Sequence, residues 1–139
     1  MTEPHPGSAR ILVVDDEPSV RRFVARALLG EGFLVEEAAD GVEALALVRT
    51  ISVSVVVTDV VMPRLNGVEL LRELSATHPD LPVILMSGYA TAQLEGMGIA
   101  APCGILIKPF SGDRLVEEVR RCLPGAGPVP VSGSNGVGL

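Results

Sequence analysis

The sequence is poor in aromatic residues and contains no long apolar run. Its 139 residues include no tryptophan, one tyrosine and three phenylalanines, so aliphatic side chains must form most of any core. A membrane-spanning helix needs about 18 consecutive apolar residues, and no stretch of the chain approaches that length. The N-terminus also lacks the charged and then apolar segments of a secretory signal. We therefore expect a cytoplasmic protein without membrane insertion.

Cysteine and basic residues are scarce as well. Cys103 and Cys122 are the two cysteines of the chain. They are too far apart for a CxxC motif and too few for a zinc cage or a disulfide framework, so we expect free, buried thiols. The formal net charge is -6 and no run of Lys and Arg is present. These features argue against direct binding to nucleic acid, because phosphates require a dense basic patch.

The length and the distribution of apolar residues indicate one α/β domain. From Arg10 to Leu123, short apolar segments alternate with amphipathic helical patterns, which predicts five βα units around a five-stranded parallel sheet. We expect residues 1–9 to be a flexible N-terminal segment. Residues 124–139 contain five Gly, three Pro and no charge, so we expect a flexible tail or linker there.

The predicted elements follow from apolar runs and helix-capping signals. Apolar runs predict strands over residues 11–14, 33–37, 53–57, 82–86 and 104–107. Helices should begin at Pro18 and after Asp40, Asn66 and Ser111, all residues suited to helix starts. A short helix is expected within residues 90–100, although two glycines weaken it by about 1 kcal/mol each. The first helix should bury one face, formed by Val20, Phe23, Val24, Ala27 and Leu28.

The carboxyl ends of the predicted strands carry most of the residues suited to chemistry. Asp15 and Asp16 follow the first strand, Asp59 the third, Ser87 the fourth and Lys108 the fifth. In an open parallel sheet these strand ends meet at one edge. Three carboxylates placed together would repel one another unless a cation is bound. Oxygen ligands without His or Cys favour a hard cation such as Mg²⁺, or Mn²⁺ in its place.

These residues also have purely structural interpretations. Residues 15–17 could cap the first helix at its positive end, and Ser87 precedes a glycine, as in an ordinary turn. Lys108, the single lysine among 11 basic residues, could extend from a strand end into solvent. A purely structural role is harder to assign to Asp59, because a carboxylate directly after an apolar strand gains nothing from burial. It could instead attack phosphorus and carry the group covalently, while Lys108 neutralises the transferred charge.

Four segments in this order and spacing resemble one known family. LVVDDEPSVRR, VVVTDVVMPRLNG, PVILMSGYA and ILIKPF are similar to the receiver domains of bacterial response regulators in two-component signalling. The resemblance covers about residues 10–123 and implies a doubly wound, flavodoxin-like sheet of order 2-1-3-4-5. It also implies that Asp59 accepts a phosphoryl group from a sensor histidine kinase or a histidine phosphotransfer protein.

The resemblance implies a role for each residue of the metal site. Asp16 and Asp59 would ligate Mg²⁺ directly, and Asp15 would assist through a water molecule. The backbone carbonyl of Val61 would complete the protein ligands.

It likewise assigns the residues that contact the phosphoryl group and report on it. Ser87 and Lys108 would bind phosphoryl oxygens, and the Lys108–Pro109 peptide would be cis. Many receivers have an aromatic switch residue three positions before the lysine, where this chain has Ile105. The usual coupling of Ser87 to that aromatic ring is therefore not expected here. The segment MSGYA and the glycines after it are more similar to receivers attached to hybrid sensor kinases.

Two other classes of protein remain as alternatives. An aspartate-nucleophile phosphohydrolase would need a second carboxylate two residues after Asp59, where this chain has Val61. We therefore expect a signalling module and not a turnover enzyme. A binding module that ignores phosphorylation is the other alternative. Val61 and Tyr89 are positioned to tune the lifetime of the phosphoryl group, and since neither is an obvious base for water, we expect slow autodephosphorylation.

Overall fold

The structure, a computed structural model, describes residues 9–88 and 101–123. Strands and helices alternate along residues 9–88, and residues 101–123 form one further strand and helix. They are β1 (Arg10–Val14), α1 (Pro18–Leu29), β2 (Leu34–Ala38), α2 (Gly41–Thr50), β3 (Val55–Asp59), α3 (Gly67–Thr77), β4 (Val83–Ser87), β5 (Gly104–Ile107) and α4 (Gly112–Cys122). The helix predicted within residues 90–100 and the predicted tail lie outside the described residues.

The five strands form one parallel sheet with the order β2-β1-β3-β4-β5. The predicted doubly wound α/β fold and its 2-1-3-4-5 order are therefore confirmed. The direction of winding reverses between β1 and β3, which are neighbours in the sheet with Val13 opposite Val57. Ligands of open α/β sheets bind in the crevice at such a switch point.

Apolar side chains fill both faces of the sheet. Ile11 and Val13 belong to one buried cluster, and Leu12 and Val14 belong to the other, because successive side chains of a strand point to opposite faces. All five residues of β3 are buried. The central strand that ends in Asp59 is therefore held by packing on both sides and by hydrogen bonds to both of its neighbours.

Some predicted boundaries and orientations were wrong in detail. β3 begins at Val55 and includes Asp59, two residues later than the apolar run predicts, because pairing with β1 starts at Ile11 and Val55. Phe23 does not belong to the buried face of α1, since it is 46% exposed. Its ring lies 6.3 Å from the ring of Phe110, at the rim of the sheet.

The predicted helix starts are confirmed. The side chains of Asp40 and Asn66 accept hydrogen bonds from the backbone N–H groups three residues later, each at 2.9 Å. Ser111 makes the equivalent contact to the N–H of Arg114 at 3.1 Å. Each bond satisfies a backbone donor that the first helical turn leaves without an intrahelical partner. These caps fix where α2, α3 and α4 begin, and therefore how long the loops at the strand ends are.

The expectation of two free thiols was wrong, because Cys103 and Cys122 form a disulfide. The cysteines are separated by 19 positions in sequence, so no local spacing motif indicates the pairing. They meet because Cys103 immediately precedes β5 and Cys122 ends α4, the helix that packs back against the same strand. The bond connects the last helix to the edge strand β5.

An ionic network around the buried carboxylate of Glu118 lies beside the disulfide. Glu118 of α4 accepts hydrogen bonds from Arg114 at 2.7 Å and from Arg121 at 2.5 Å. Burial alone would raise the pKa of Glu118, but these two guanidinium groups hold that pKa below its usual value. Arg121 also donates to the carbonyl of Cys103 at 2.7 Å. A Cβ on Gly104 would lie 2.0 Å from the Glu118 carboxylate, so a larger residue there would require the Glu118 side chain to move.

We expect reduction of the disulfide to lower the free energy of unfolding by about 3 kcal/mol, because a crosslink of this span restricts the unfolded chain. Urea denaturation with and without a reducing agent measures the difference. A variant with Cys103→Ser and Cys122→Ser should unfold like the reduced wild type under both conditions. Equal stability of the oxidised and reduced wild type would contradict the pairing.

Candidate functional site

The described residues with chemically active side chains meet at the carboxyl edge of the sheet, as predicted. Asp59 and Ser87 are the last residues of β3 and β4, Asp15 directly follows β1 and Lys108 directly follows β5. Asp15 and Ser87 are each 1% exposed and Asp59 is 8% exposed. Four neighbouring strands therefore converge on one small, largely buried group of polar atoms.

Three carboxylates form the acidic part of this site. One oxygen from each of Asp15, Asp16 and Asp59 lies within 4.8 Å of the others. Asp15 and Asp59 are buried, whereas Asp16 is exposed to solvent. This arrangement combines fixed anionic oxygens with open access, which suits a hard cation that keeps several water molecules.

Asp15 provides a test of whether the site fits a cation. Its Oδ1 accepts a hydrogen bond from the backbone N–H of Glu17 at 2.9 Å, but its buried Oδ2 has no hydrogen-bond partner among the described residues. Burial, followed by repulsion from Asp59 and Asp16, raises the pKa of Asp15. A buried oxygen without a donor is costly, and a divalent cation would satisfy it. The donor set therefore fits Mg²⁺.

Lys108 supplies the positive charge within the site. Its Nζ lies 3.0 Å from Oδ1 of Asp59 and 3.8 Å from Oδ2 of Asp15. The backbone N–H of Lys108 donates to the carbonyl of Ser87 at 2.8 Å, which ties the end of β5 to the end of β4. The Lys108–Pro109 peptide is cis, as predicted.

The backbone around Asp59 is fixed by close contacts. The N–H of Val60 donates to the carbonyl of Met86 at 3.1 Å, and the carbonyl of Val60 accepts from Gly67 at 2.9 Å. A Cβ on Gly67 would lie 2.2 Å from the carbonyl oxygen of Asp59. Any larger residue at the start of α3 would therefore displace the strand end that carries Asp59.

The remaining predicted site residues lie around this centre. Val61 is 61% exposed on the loop after β3. Ile105 is partly buried and packs against the apolar cluster on one face of the sheet. Tyr89 lies outside the described residues.

Sequence reasoning missed two features at the rim of the site. An apolar groove of about 300 Å³ is lined by Ser19, Val20, Phe23, Lys108, Pro109 and Phe110. An ion pair joins Arg64, on the loop after β3, to Asp40 at the start of α2. The sequence predicts only a helix-capping role for Asp40. The positive φ of 65° at Arg64 has no signal in the sequence, because glycine and asparagine are the usual residues in that conformation.

Comparison with known proteins identifies the family. The family model of the response regulator receiver domain matches residues 11–120. The chain belongs to this family. It is 47% identical over 120 residues to sensor kinase CckA of Brucella abortus, a match covering 84% of this chain and 13% of CckA. It is 40% identical over 120 residues to response regulator MprA of Mycobacterium sp. strain KMS, covering 86% of this chain and 52% of MprA.

A solved structure shows the same architecture. The receiver domain described here is similar to response regulator TrrA of Thermotoga maritima in complex with Mg(2+)-BeF, with a TM-score of 0.73 and 32% identity. That match covers 83% of this chain and 99% of TrrA. The receiver chain thus spans nearly all of TrrA, about half of MprA and a small part of CckA. Within the described ranges, every helix is too short or too polar to cross a bilayer.

The raised pKa of Asp15 predicts a pH-dependent gain in stability for Asp15→Asn. Because the folded protein holds the Asp15 proton more tightly than the unfolded chain does, the ionised residue destabilises the fold above its folded pKa. We expect the substitution to raise the unfolding free energy of the metal-free protein at pH 7 by about 1 kcal/mol, since one of three crowded charges is removed. The gain should vanish below about pH 3.8, the usual pKa of an aspartate.

Urea denaturation in the presence of a chelator, at several pH values, measures this difference. The exposed Asp80 provides a matched control, because Asp80→Asn removes the same charge outside the carboxylate cluster. A loss of stability in Asp15→Asn at pH 7 would contradict the assignment of repulsion and burial to Asp15.

Proposed function

We propose that this receiver domain accepts a phosphoryl group on Asp59 from the phosphohistidine of a sensor histidine kinase or histidine phosphotransfer protein, in a reaction that requires Mg²⁺. The observation that carries the proposal is the contact of Lys108 Nζ with Asp59 Oδ1 at 3.0 Å, beside two further carboxylates. The buried Asp59 thus contacts a cationic side chain and is itself part of a candidate metal site.

The protein would contribute to this reaction mainly by positioning the reacting groups and by stabilising their charge. An oxygen of Asp59 forms the new P–O bond while the P–N bond to the donor histidine breaks, and the electron pair of that bond remains on the imidazole. The transferred group carries its negative charge on three equatorial oxygens. Asp16, Asp59, the carbonyl of Val61 and, through water, Asp15 would hold Mg²⁺, which would supply positive charge to offset part of that negative charge. The Mg(2+)-BeF complex of the similar TrrA supports this choice of metal.

Lys108 and Ser87 would bind the other phosphoryl oxygens. In the unphosphorylated protein Lys108 contacts Asp59 directly. After transfer its ammonium group would contact a negatively charged oxygen of the phosphoryl group. Ser87 lies at the end of the adjacent strand β4, where its hydroxyl could donate to a second oxygen. Both residues would therefore make contacts in the phosphorylated domain that the unphosphorylated domain lacks. These contacts would distinguish the two states of the site.

The exposed Val61 favours a switch over an enzyme with rapid turnover. Its side chain stands two residues after Asp59 and offers neither an acid nor a base to a water molecule. Ser87 and Ile105 would report the modification, and the partly buried Ile105 would do so by packing alone. The likeness to sensor kinase CckA supports the interpretation that this receiver is of the hybrid-kinase type. The domain limits of residues 10–123 and a cytoplasmic location remain predictions.

We expect incubation with radiolabelled donor kinase, or with Mg²⁺ and labelled acetyl phosphate, to give an acid-stable and base-labile adduct on the wild type. Asp59→Asn should carry no label, and addition of a chelator should prevent labelling. Lys108→Ala should slow labelling by about 10-fold to 100-fold, because one preorganised positive charge is lost.

Asp80→Asn is the matched control and should be labelled at the wild-type rate. An unlabelled wild type, or label that persists in Asp59→Asn, would refute the proposal. Equal binding of a signalling partner to labelled wild type and to Asp59→Ala would favour a binding module that ignores phosphorylation.

We expect the adduct, once formed and freed of donor, to decay over minutes or longer, because Val61 cannot activate or orient water. Val61→Gln should accelerate decay severalfold, since a side-chain amide can position the attacking water. Val61→Leu should decay at the wild-type rate. A half-life of seconds for the wild-type adduct would contradict this assignment, as would equal rates in all three proteins.

A further inference from the structure

We infer that the ion pair between Arg64 and Asp40 positions the loop of residues 60–66, and thereby holds the backbone carbonyl of Val61 in place for Mg²⁺. Arg64 and Asp40 would be positioning residues, since neither belongs to the carboxylate cluster or contacts Lys108 among the described residues. The inference rests on the proposed function, because it concerns the affinity of the same site for its metal.

The geometry of the ion pair is well defined. Nε of Arg64 donates to Oδ2 of Asp40 at 2.8 Å, and Nη2 donates to the same oxygen. The other oxygen, Oδ1, accepts from the N–H of Glu43 at 2.9 Å. Asp40 is only 6% exposed, so both of its oxygens have fixed partners. The Glu43 N–H and then Arg64 hold the pKa of Asp40 below its usual value, and Asp40 therefore stays charged at neutral pH.

The backbone conformation of Arg64 indicates that the contact matters to the loop. Its φ of 65° lies in the left-handed region, which is unfavourable for residues with a Cβ. The surrounding structure must impose such a conformation. The pair with Asp40 is one contact that can contribute to imposing it, because it attaches the Arg64 side chain to a buried carboxylate on another loop.

The next residue of the loop is attached to the same place. The carbonyl of Leu65 accepts a hydrogen bond from the N–H of Gly41 at 3.0 Å, and a Cβ on Gly41 would lie 2.4 Å from that carbonyl. Two successive loop residues, Arg64 and Leu65, are thus docked on the start of α2. The contact is close enough that only glycine fits at position 41.

Val61 lies between two anchors of the loop. On one side, Val60 is held by its hydrogen bonds to Met86 and Gly67. On the other side, Arg64 and Leu65 are held by the start of α2. The side chain of Val61 is itself exposed and contributes little to its own position. The position of the Val61 carbonyl therefore depends on these two anchors. Loss of the Arg64 contact should make that position less well defined.

Charge alone predicts the opposite effect, which makes the inference testable. Arg64 carries a positive charge near an acidic site, so removing that charge should strengthen Mg²⁺ binding if only long-range electrostatics were involved. Loss of positioning should weaken the binding instead. The direction of the change in affinity therefore distinguishes the two mechanisms.

The test compares Arg64→Gly, Arg64→Lys and Arg72→Ala in the full chain. Arg64→Gly removes the ion pair while tolerating the positive φ, and Arg64→Lys keeps the charge. Arg72→Ala removes an equal charge from an exposed position on α3 and serves as the control. Titration calorimetry with MgCl₂ gives the dissociation constant. Hydrogen exchange without metal gives the opening of the Gly41 amide that donates to Leu65.

We expect Arg64→Gly to weaken Mg²⁺ binding about threefold to tenfold and to accelerate exchange of the Gly41 amide by a similar factor, with Arg64→Lys intermediate. Arg72→Ala should bind Mg²⁺ as tightly as the wild type or slightly more tightly. The maximal labelling rate at saturating Mg²⁺ should stay within about twofold of the wild type in all variants, because the reacting groups themselves are unchanged.

A second variant guards against a general loss of structure. Asp40→Asn removes the charge but retains a good helix cap, so it should weaken Mg²⁺ binding as Arg64→Gly does. Unchanged or tighter binding in both variants, or unchanged exchange at Gly41, would overturn the inference. A wild type that binds no Mg²⁺ and takes no label would instead refute the proposed function, while the exchange data would still report whether Arg64 anchors the loop.

Discussion

The crowding of Asp15, Asp16 and Asp59 at the end of a buried sheet is the constraint on which the rest of the structure depends. Like charges this close are unfavourable in a folded protein, and Asp15 and Asp59 have little access to water. Lys108 offsets part of the repulsion through its contact with Asp59. Oδ2 of Asp15 lies 3.8 Å from Lys108 Nζ and accepts no hydrogen bond among the described residues, so the offset is incomplete. The protein thus keeps an incompletely neutralised anionic site at the end of its buried central strand, as the proposed binding of a cation and a phosphoryl group requires.

The packing and hydrogen bonds of the surrounding fold hold the three carboxylates in place despite their mutual repulsion. β3 is buried on both faces and paired on both edges, so Asp59 cannot escape by a shift of its strand. Val60 follows Asp59, and its carbonyl accepts a hydrogen bond from the N–H of Gly67. Gly67 is the first residue of α3, whose start is capped by Asn66. Apolar packing on both faces therefore supplies the free energy that holds three carboxylates together.

The fold and the centre of the site could be predicted because they depend on local and periodic signals. Apolar runs, caps such as Asn66, and polar residues at strand ends are readable in the sequence, and the strand order follows from the family resemblance. The exposure of Phe23, the Cys103–Cys122 bond and the Arg64–Asp40 pair were not predicted. Each depends on which segments meet in space, and the single sequence contains no local pattern that encodes such a meeting. β3 was misplaced by two residues because register is set by the partner strand and not by hydrophobicity.

The disulfide between the start of β5 and the end of α4 has a mechanical consequence. Together with the Glu118 network and the Arg121 contact to Cys103, it crosslinks the edge strand and the last helix at the end of the sheet opposite Lys108. Because this bond joins Cys103, directly before β5, to Cys122, the last residue of α4, the end of α4 cannot slide along the start of β5.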